Sequence, residues 1–177
     1  DIHFHTQTTI DTLDYSGNSI NRGSKVVFAA YGNSIRSLSS EIPSCLALYK
    51  TKLVLPGIVA LQTNAFIDYD QAQNEMQLLS QQLMHSKAEL LHTPLIIVCD
   101  DAAFVAATIN NFLWVTFTRC NPSHDIYGVD SFTENKHWGC KGPLIIDARM
   151  KPHHAPPMLK DDATEARVNT ILRSLKW

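Results

Sequence analysis

No long apolar run interrupts this 177-residue sequence. None reaches the roughly 20 residues a membrane-spanning helix needs. Clustered positive charge is also missing. Fifteen Lys and Arg against 17 Asp and Glu leave a formal net charge of −2. That balance gives no electrostatic footprint for a nucleic acid and no basic patch for anionic lipid. The four cysteines, Cys45, Cys99, Cys120 and Cys140, form no CxxC pair, so the usual spacing of a structural zinc site is absent. No Asn-X-Ser/Thr acceptor occurs with X other than Pro. A reducing, cytoplasmic setting is therefore expected, with Cys45 and Cys99 as small core residues. GxGxxG, GxxxxGK[ST] and GxSxG are all missing, which removes the commonest self-contained dinucleotide, phosphate-loop and hydrolase classes.

What is present suits one soluble domain. The hydrophobic share of 45% and charged share of 18% are those of a chain that buries a single core. The first 23 residues are polar and rich in turn formers. Val26–Tyr31 reads as a buried strand, and Leu53–Leu61 as another with a bulge or edge position at Pro56-Gly57. A helix is predicted from an Asp70 cap to about Leu91, with Ala72, Met76, Leu79, Leu83 and Leu90 on one face. Leu95–Cys99 and Pro143–Asp147 read as short buried strands. Between them, Asp100 or Asp101 caps a predicted helix over 102–117 that is apolar on nearly every side and needs cover on two faces. The Lys151–Pro157 segment, KPHHAPP, reads as stiff and non-helical. An amphipathic helix follows, capped at Asp162 and Glu165, with Val168, Ile171, Leu172 and Leu175 sharing a face. Strands alternating with helices predict an α/β layered domain.

Several constellations carry possible chemistry. His3 and His5 at a strand start would point the same way and could share a metal ion. Barrels that open on such a pair need about 250 residues, however. A solvated tether is the plainer expectation. His153-His154 lies between prolines in an extended segment, where neighbouring rings point apart; surface histidines are expected. Arg119, Asp125, Lys141 and Asp147 fall just outside predicted strand or helix ends. They are candidates for lining a crevice or, for Arg119 with Asp125, for stapling a loop through a guanidinium–carboxylate pair.

The order of short motifs adds a family resemblance. Thr9–Gly17 reads TIDTLDYSG, Asn21–Lys25 reads NRGSK before an apolar run, and Leu95–Asp101 is a strand ending in two aspartates. Trp114, Thr118-Arg119, Pro122 and Asp125 follow in a W-x-x-x-T-R-x-x-P-x-x-D pattern, and Gly139–Arg149 carries Lys141 and Ile146-Asp147-Ala148. Together these resemble the C-terminal region of the UbiD-type decarboxylases. The predicted 70–91 helix and the KPHHAPP segment depart from the common pattern and point to a divergent branch.

The resemblance implies a three-layer α/β/α domain with a mixed sheet over 24–177. Residues 1–23 would then be a tether from a missing upstream flavin-binding domain. It further implies non-oxidative decarboxylation of an aromatic or unsaturated carboxylic acid by a parent enzyme. The parent would use prenylated FMN with a divalent metal and potassium, none of it bound by these residues. No catalytic residue and no metal ligand is carried over. The expected role is oligomerisation and substrate-cleft formation, with Phe112, Trp114, Ile171 and Leu175 at a homo-oligomer interface. Two other readings stay open: a stand-alone α/β protein-association module, and a small metal-dependent hydrolase using His3 and His5.

Overall fold

A computed structural model describes residues 2–8, 23–29, 31–155 and 161–175. The TIDTLDYSG motif, Asn21 and Arg22 of the next motif, and most of the expected tether lie outside the described residues. The strands in chain order are β1 (Ile2–Thr8), β2 (Gly23–Phe28), β3 (Lys50–Leu55), β4 (Ile58–Gln62), β5 (Leu95–Cys99), β6 (Ile126–Gly128), β7 (Ser131–Glu134), β8 (His137–Cys140) and β9 (Leu144–Asp147). The helices are α1 (Tyr69–Met84), α2 (Ala102–Ala107), α3 (Ile109–Arg119), α4 (Pro122–Asp125) and α5 (Asp162–Ser174).

Five strands form one mixed sheet in the order β3-β4-β5-β9-β6. β4, β5 and β9 run parallel at its centre, and β3 and β6 close the edges antiparallel. Parallel strands covered on both faces read as unbroken apolar runs, as Leu95–Cys99 does. Alternate side chains point to opposite faces. Val59, Leu61, Ile96, Val98 and Ile145 meet Met76, Leu79 and Leu83 of α1. Ala60, Ile97, Cys99 and Ile146 meet Ala102 and Val105 of α2 and Phe112 and Val115 of α3. The expected α/β class is therefore observed, with helices on both faces of a mixed sheet. β1–β2 and β7–β8 form separate two-stranded ribbons.

Local chemistry moves several predicted boundaries. The Leu53–Leu61 run is not one strand. Pro56-Gly57 turns the chain from β3 into β4, and the register shifts between Leu53 and Leu55 on what is indeed an edge strand. Gly57 has φ +77, and a Cβ there would lie 2.9 Å from Leu38 Cδ2 and 3.2 Å from the His92 carbonyl, so only glycine fits. Helix α1 begins earlier than expected. Asp68, extended at φ −149, accepts from the Gln71 N–H at 2.8 Å, and Asp70 sits inside the first turn. The helix stops at Met84, and Leu90 reaches the core from the turns that follow.

The predicted 102–117 helix is two helices. Thr108, extended at φ −148, ends α2, and its hydroxyl accepts from the Asn111 N–H at 3.0 Å to start α3. Asn111 Nδ2 in turn donates to the Phe104 carbonyl at 2.8 Å, covering the open end of α2. Asp101 is the α2 cap, through the Phe104 N–H. In the tail the cap is Asp161, one residue before the expected Asp162. The Val26–Tyr31 run is not buried. β2 packs through its Gly23-Ser24 end, and Val27 and Phe28 are half-exposed on the ribbon.

Two stability measurements check these assignments. In urea unfolding, Asp68→Ala is expected to cost about 1 kcal/mol and Asp70→Ala only a few tenths. Equal losses would place the cap at the wrong residue. Gly57→Ala should lower stability by more than about 1 kcal/mol, because it adds positive-φ strain to a steric clash.

Candidate functional site

In open α/β sheets the crevice outside the carboxyl ends of the parallel strands is the usual ligand-binding edge. Here β5 runs out into Asp100 and β9 into Asp147-Ala148-Arg149-Met150-Lys151. A knot of charged side chains fills this edge. Asp147, Arg149, Lys151 and Asp125 are each no more than 1% exposed.

Arg149 is held from three directions. Its Nε reaches Asp147 Oδ1 at 2.9 Å and its Nη2 reaches Asp147 Oδ2 at 2.7 Å. Its Nη1 donates to Glu75 Oε2 of α1 at 2.6 Å and to the Asn64 carbonyl at 3.1 Å. Burial opposes its charge, yet the bonds to Asp147 and Glu75 outweigh burial and raise its pKa further. Lys151 Nζ lies 3.0 Å from Asp125 Oδ2 and donates to the carbonyls of Arg119 at 2.9 Å and Asp147 at 3.0 Å. Both cations stand over the Phe66 ring, at 5.8 Å for Arg149 and 5.5 Å for Lys151. Asp125 also accepts from the Asn121 N–H at 2.5 Å. Burial pushes Asp125 up to about 6, against the pull of Lys151 and of that N–H.

His154 is wired to the same knot. Its Nδ1 accepts from the Lys151 N–H at 3.1 Å. Burial, then the neighbouring His153 and Lys151, push it down to about 4, so the ring is neutral near pH 7. The Cys120 thiol is pushed up by burial and by Asp125 and stays protonated.

The predicted site residues separate into three groups. Asp125 and Asp147 converge in the knot. Arg119 stands at its rim, but the expected Arg119–Asp125 staple does not form. Arg119 Nη1 pairs with Asp100 Oδ2 at 3.1 Å and its Cζ lies 5.2 Å from the Trp114 ring centroid, while Asp125 is taken by the better-placed Lys151. Lys141 is exposed near the amino end of β9, at the opposite end of the sheet. Phe112 is 5% exposed and belongs to the core, so it is not available to a partner. Trp114, Ile171 and Leu175 are each 50% exposed.

His153 and His154 are not splayed surface residues; a turn brings their ring centroids to 4.7 Å at 79°. His3 and His5 are exposed on β1, opposite Val27 and Lys25. No group of three or more His, Cys, Asp or Glu among the described residues is placed to hold a metal ion.

The residues that sequence reasoning missed are Glu75, Arg149 and Lys151. The available signal was the Asp-x-Arg-x-Lys spacing directly after an apolar strand. Two cations in that position must either face solvent or be paired in the crevice. Chemically the knot has few spare valences. It offers no activated nucleophile, and it ties α1, α3, α4, β5 and β9 together at the mouth of the crevice.

Four chlamydial proteins resemble the chain over nearly its whole length. It is 30% identical over 172 residues to a Chlamydia pneumoniae protein named as a subunit of 4-hydroxybenzoate decarboxylase, covering 96% of the chain and 27% of that protein. It is 29% identical over 172 residues to an uncharacterized protein of Chlamydia trachomatis serovar D, covering 96% of the chain and 28% of the relative. The chain thus spans little more than a quarter of the length of the curated relatives it matches. Among solved structures, the vanillic acid decarboxylase of Sedimentibacter hydroxybenzoicus in open form aligns at TM-score 0.40 and 14% identity, over 68% of this chain and 27% of that one. No family model matches the chain.

The knot makes two measurable claims. Asp125→Asn should cost about 3–5 kcal/mol, because it strands a buried ammonium, whereas the double change with Lys151→Met should recover much of that loss. A single-mutant cost under about 1 kcal/mol would remove the pair from its structural role.

The second claim concerns pH. His154, lowered from 6.5 to about 4, contributes above pH 6.5 and loses that stability as the pH falls to about 4. His154→Gln should therefore gain stability relative to wild type as the pH falls from 6.5 to 4 in urea titrations. Parallel pH profiles for the two proteins would contradict this.

Proposed function

We propose that the chain is the C-terminal oligomerisation and substrate-cleft domain of a UbiD-like non-oxidative decarboxylase acting on an aromatic or unsaturated carboxylic acid. The observation that carries this reading is the similarity to the chlamydial protein named for 4-hydroxybenzoate decarboxylase, spread over 96% of the chain. The packing of the motifs supports it. Ser24 of the Asn21–Lys25 motif donates to Asn121 Oδ1 at 2.6 Å, and the Ser123 N–H donates back to Ser24 Oγ at 2.7 Å. Asp125 and Asp147, from two other motifs, both meet Lys151. Residues that look unrelated along the sequence are therefore parts of one folded unit.

On this reading residues 24–177 are a three-layer α/β/α domain, and 1–23 lead into it from an upstream flavin-binding domain in a cytoplasmic enzyme. Decarboxylation leaves an electron pair on carbon, and prenylated FMN with a divalent metal and potassium supplies the sink for it in the family that the chain resembles. The described residues do not fit that group. They bring together no metal-ligand cluster, and the buried cations Arg149 and Lys151 are committed to internal partners. On this reading the cofactor and the reacting carboxylate network belong to the upstream part of the enzyme, and no catalytic step is assigned to this chain. What this chain supplies is a stiff crevice edge and apolar surface.

That apolar surface is also what favours the second reading, a stand-alone association module. Phe104, Ile109, Leu113, Trp114 and Phe117 are all more than 40% exposed on the outer side of α2 and α3. Helix α5 has no buried residue, and its Val168, Ile171 and Leu172 are about half exposed. Surfaces of this kind mark contact sites.

Assay of carbon dioxide release from 4-hydroxybenzoate separates the two readings. A protein of the relatives' length should react when supplied with cofactor, and the 177 residues alone should not. Turnover by the 177 residues alone would sink the proposal; inactivity of the longer protein on aromatic and unsaturated acids would favour the association module. Light scattering should find a dimer or larger assembly, and Trp114→Asp should shift it toward monomer without changing the unfolding midpoint appreciably. A monomeric wild-type protein at micromolar concentration would remove the oligomer from the reading.

A further inference from the structure

Helices α2 and α3 carry no charge before Arg119: from Ala102 to Thr118 there is no Asp, Glu, Lys or Arg. One side of this pair packs into the core through Ala102, Val105, Phe112 and Val115. The other side faces outward. There Trp114 is 50% exposed and Phe117 56%, and Phe104 stands edge-on to Trp114 with ring centroids 6.4 Å apart. Helices that face water normally carry charge on that side. A neutral, aromatic outer face has instead the composition of the buried centre of an interface.

Helix α5 has the matching pattern. Its 13 residues bury nothing within the chain. An isolated helix of about that length is marginal in water. The Asp161 cap, which accepts from the Thr164 N–H at 3.1 Å, secures only its first turn. Val168, Ile171, Leu172 and Leu175 share one side at helical spacing, each about half exposed. Glu165 and Arg167 border that strip, and Asp162 and Arg173 fall behind it. One side of α5 therefore suits water and the other suits a neutral surface.

The chain's own α5 does not supply the cover, because Trp114 and Phe117 stay exposed with α5 in place. A second copy brings both halves of the match. Each half-exposed side chain has roughly 80–90 Å² left to bury. The five on α2 and α3 and the four on α5 together bring about 700–800 Å² per copy, close to the share each partner gives to a stable interface. We propose that α5 of one copy packs across the α2–α3 face of a second copy, and that the two chains cover each other about a two-fold axis. Such a pair is closed and uses each surface once. The exchange rests on the oligomer of the proposed function and adds which helix meets which.

The test uses the full chain, as an equal mixture of isotope-labelled and unlabelled protein, with NOEs filtered for contacts between chains. Contacts are expected from the methyls of Ile171 and Leu172 to the rings of Trp114 and Phe117 of the other copy. Leu172→Asp should raise the dimer Kd at least about tenfold, as should Trp114→Asp. Combining the two should add little, since both break one contact. Should Trp114→Asp fail to fold, Leu172→Asp still decides, because α5 has no buried residue to disturb. A dimer with these contacts only within one chain, or with none from α5, overturns the exchange and leaves the oligomer standing. An unchanged Kd in Leu172→Asp does the same. A monomer at micromolar concentration removes the oligomer and the exchange together.

Discussion

The fold is organised around a buried ammonium. Lys151 lies wholly inside the protein, with Asp125 as its counter-charge and backbone carbonyls from the ends of α3 and β9 as its acceptors. Desolvating such a pair is expensive, and its attraction repays the cost only when every donor is satisfied. That requirement fixes the relative positions of α3, α4 and the chain leaving β9. Arg149 applies the same constraint to α1 through Glu75. A hydrophobic core alone would let these elements slide against one another; a saturated polar knot does not.

The knot and the apolar surface divide the molecule's work. The buried cations along the carboxyl edge of the sheet are paired with carboxylates and backbone carbonyls. The outer sides of α2, α3 and α5 carry apolar side chains that the described residues do not cover. The chain accounts for only about a quarter of the length of the relatives it matches.

Much of the fold was legible because its signals are local. Leu95–Cys99 and the β9 run announce strands buried on both faces, since only such strands can be apolar at every position. The α1 face of Ala72, Met76, Leu79 and Leu83 follows from helical periodicity alone. Boundaries were less legible because one hydroxyl or carboxylate decides them. Thr108 can continue a helix or cap the next one, and only the position of the Asn111 N–H settles which. Asp68 and Asp70 are equivalent caps on paper, and the extended backbone at Asp68 selects between them. At the site, Asp125 and Asp147 could be picked out from their motif positions, but their partners could not, because the choice of partner is a long-range matter.

The sequence by itself determined the α/β class, strands β5 and β9 and the apolar face of α1, because these depend on side-chain spacing within a few residues. Tertiary structure alone decided that Asp125 takes Lys151, that Arg119 takes Asp100, and that Phe112 points inward while Trp114 points out. Pairings of that kind depend on distances between segments, which spacing along the chain does not encode.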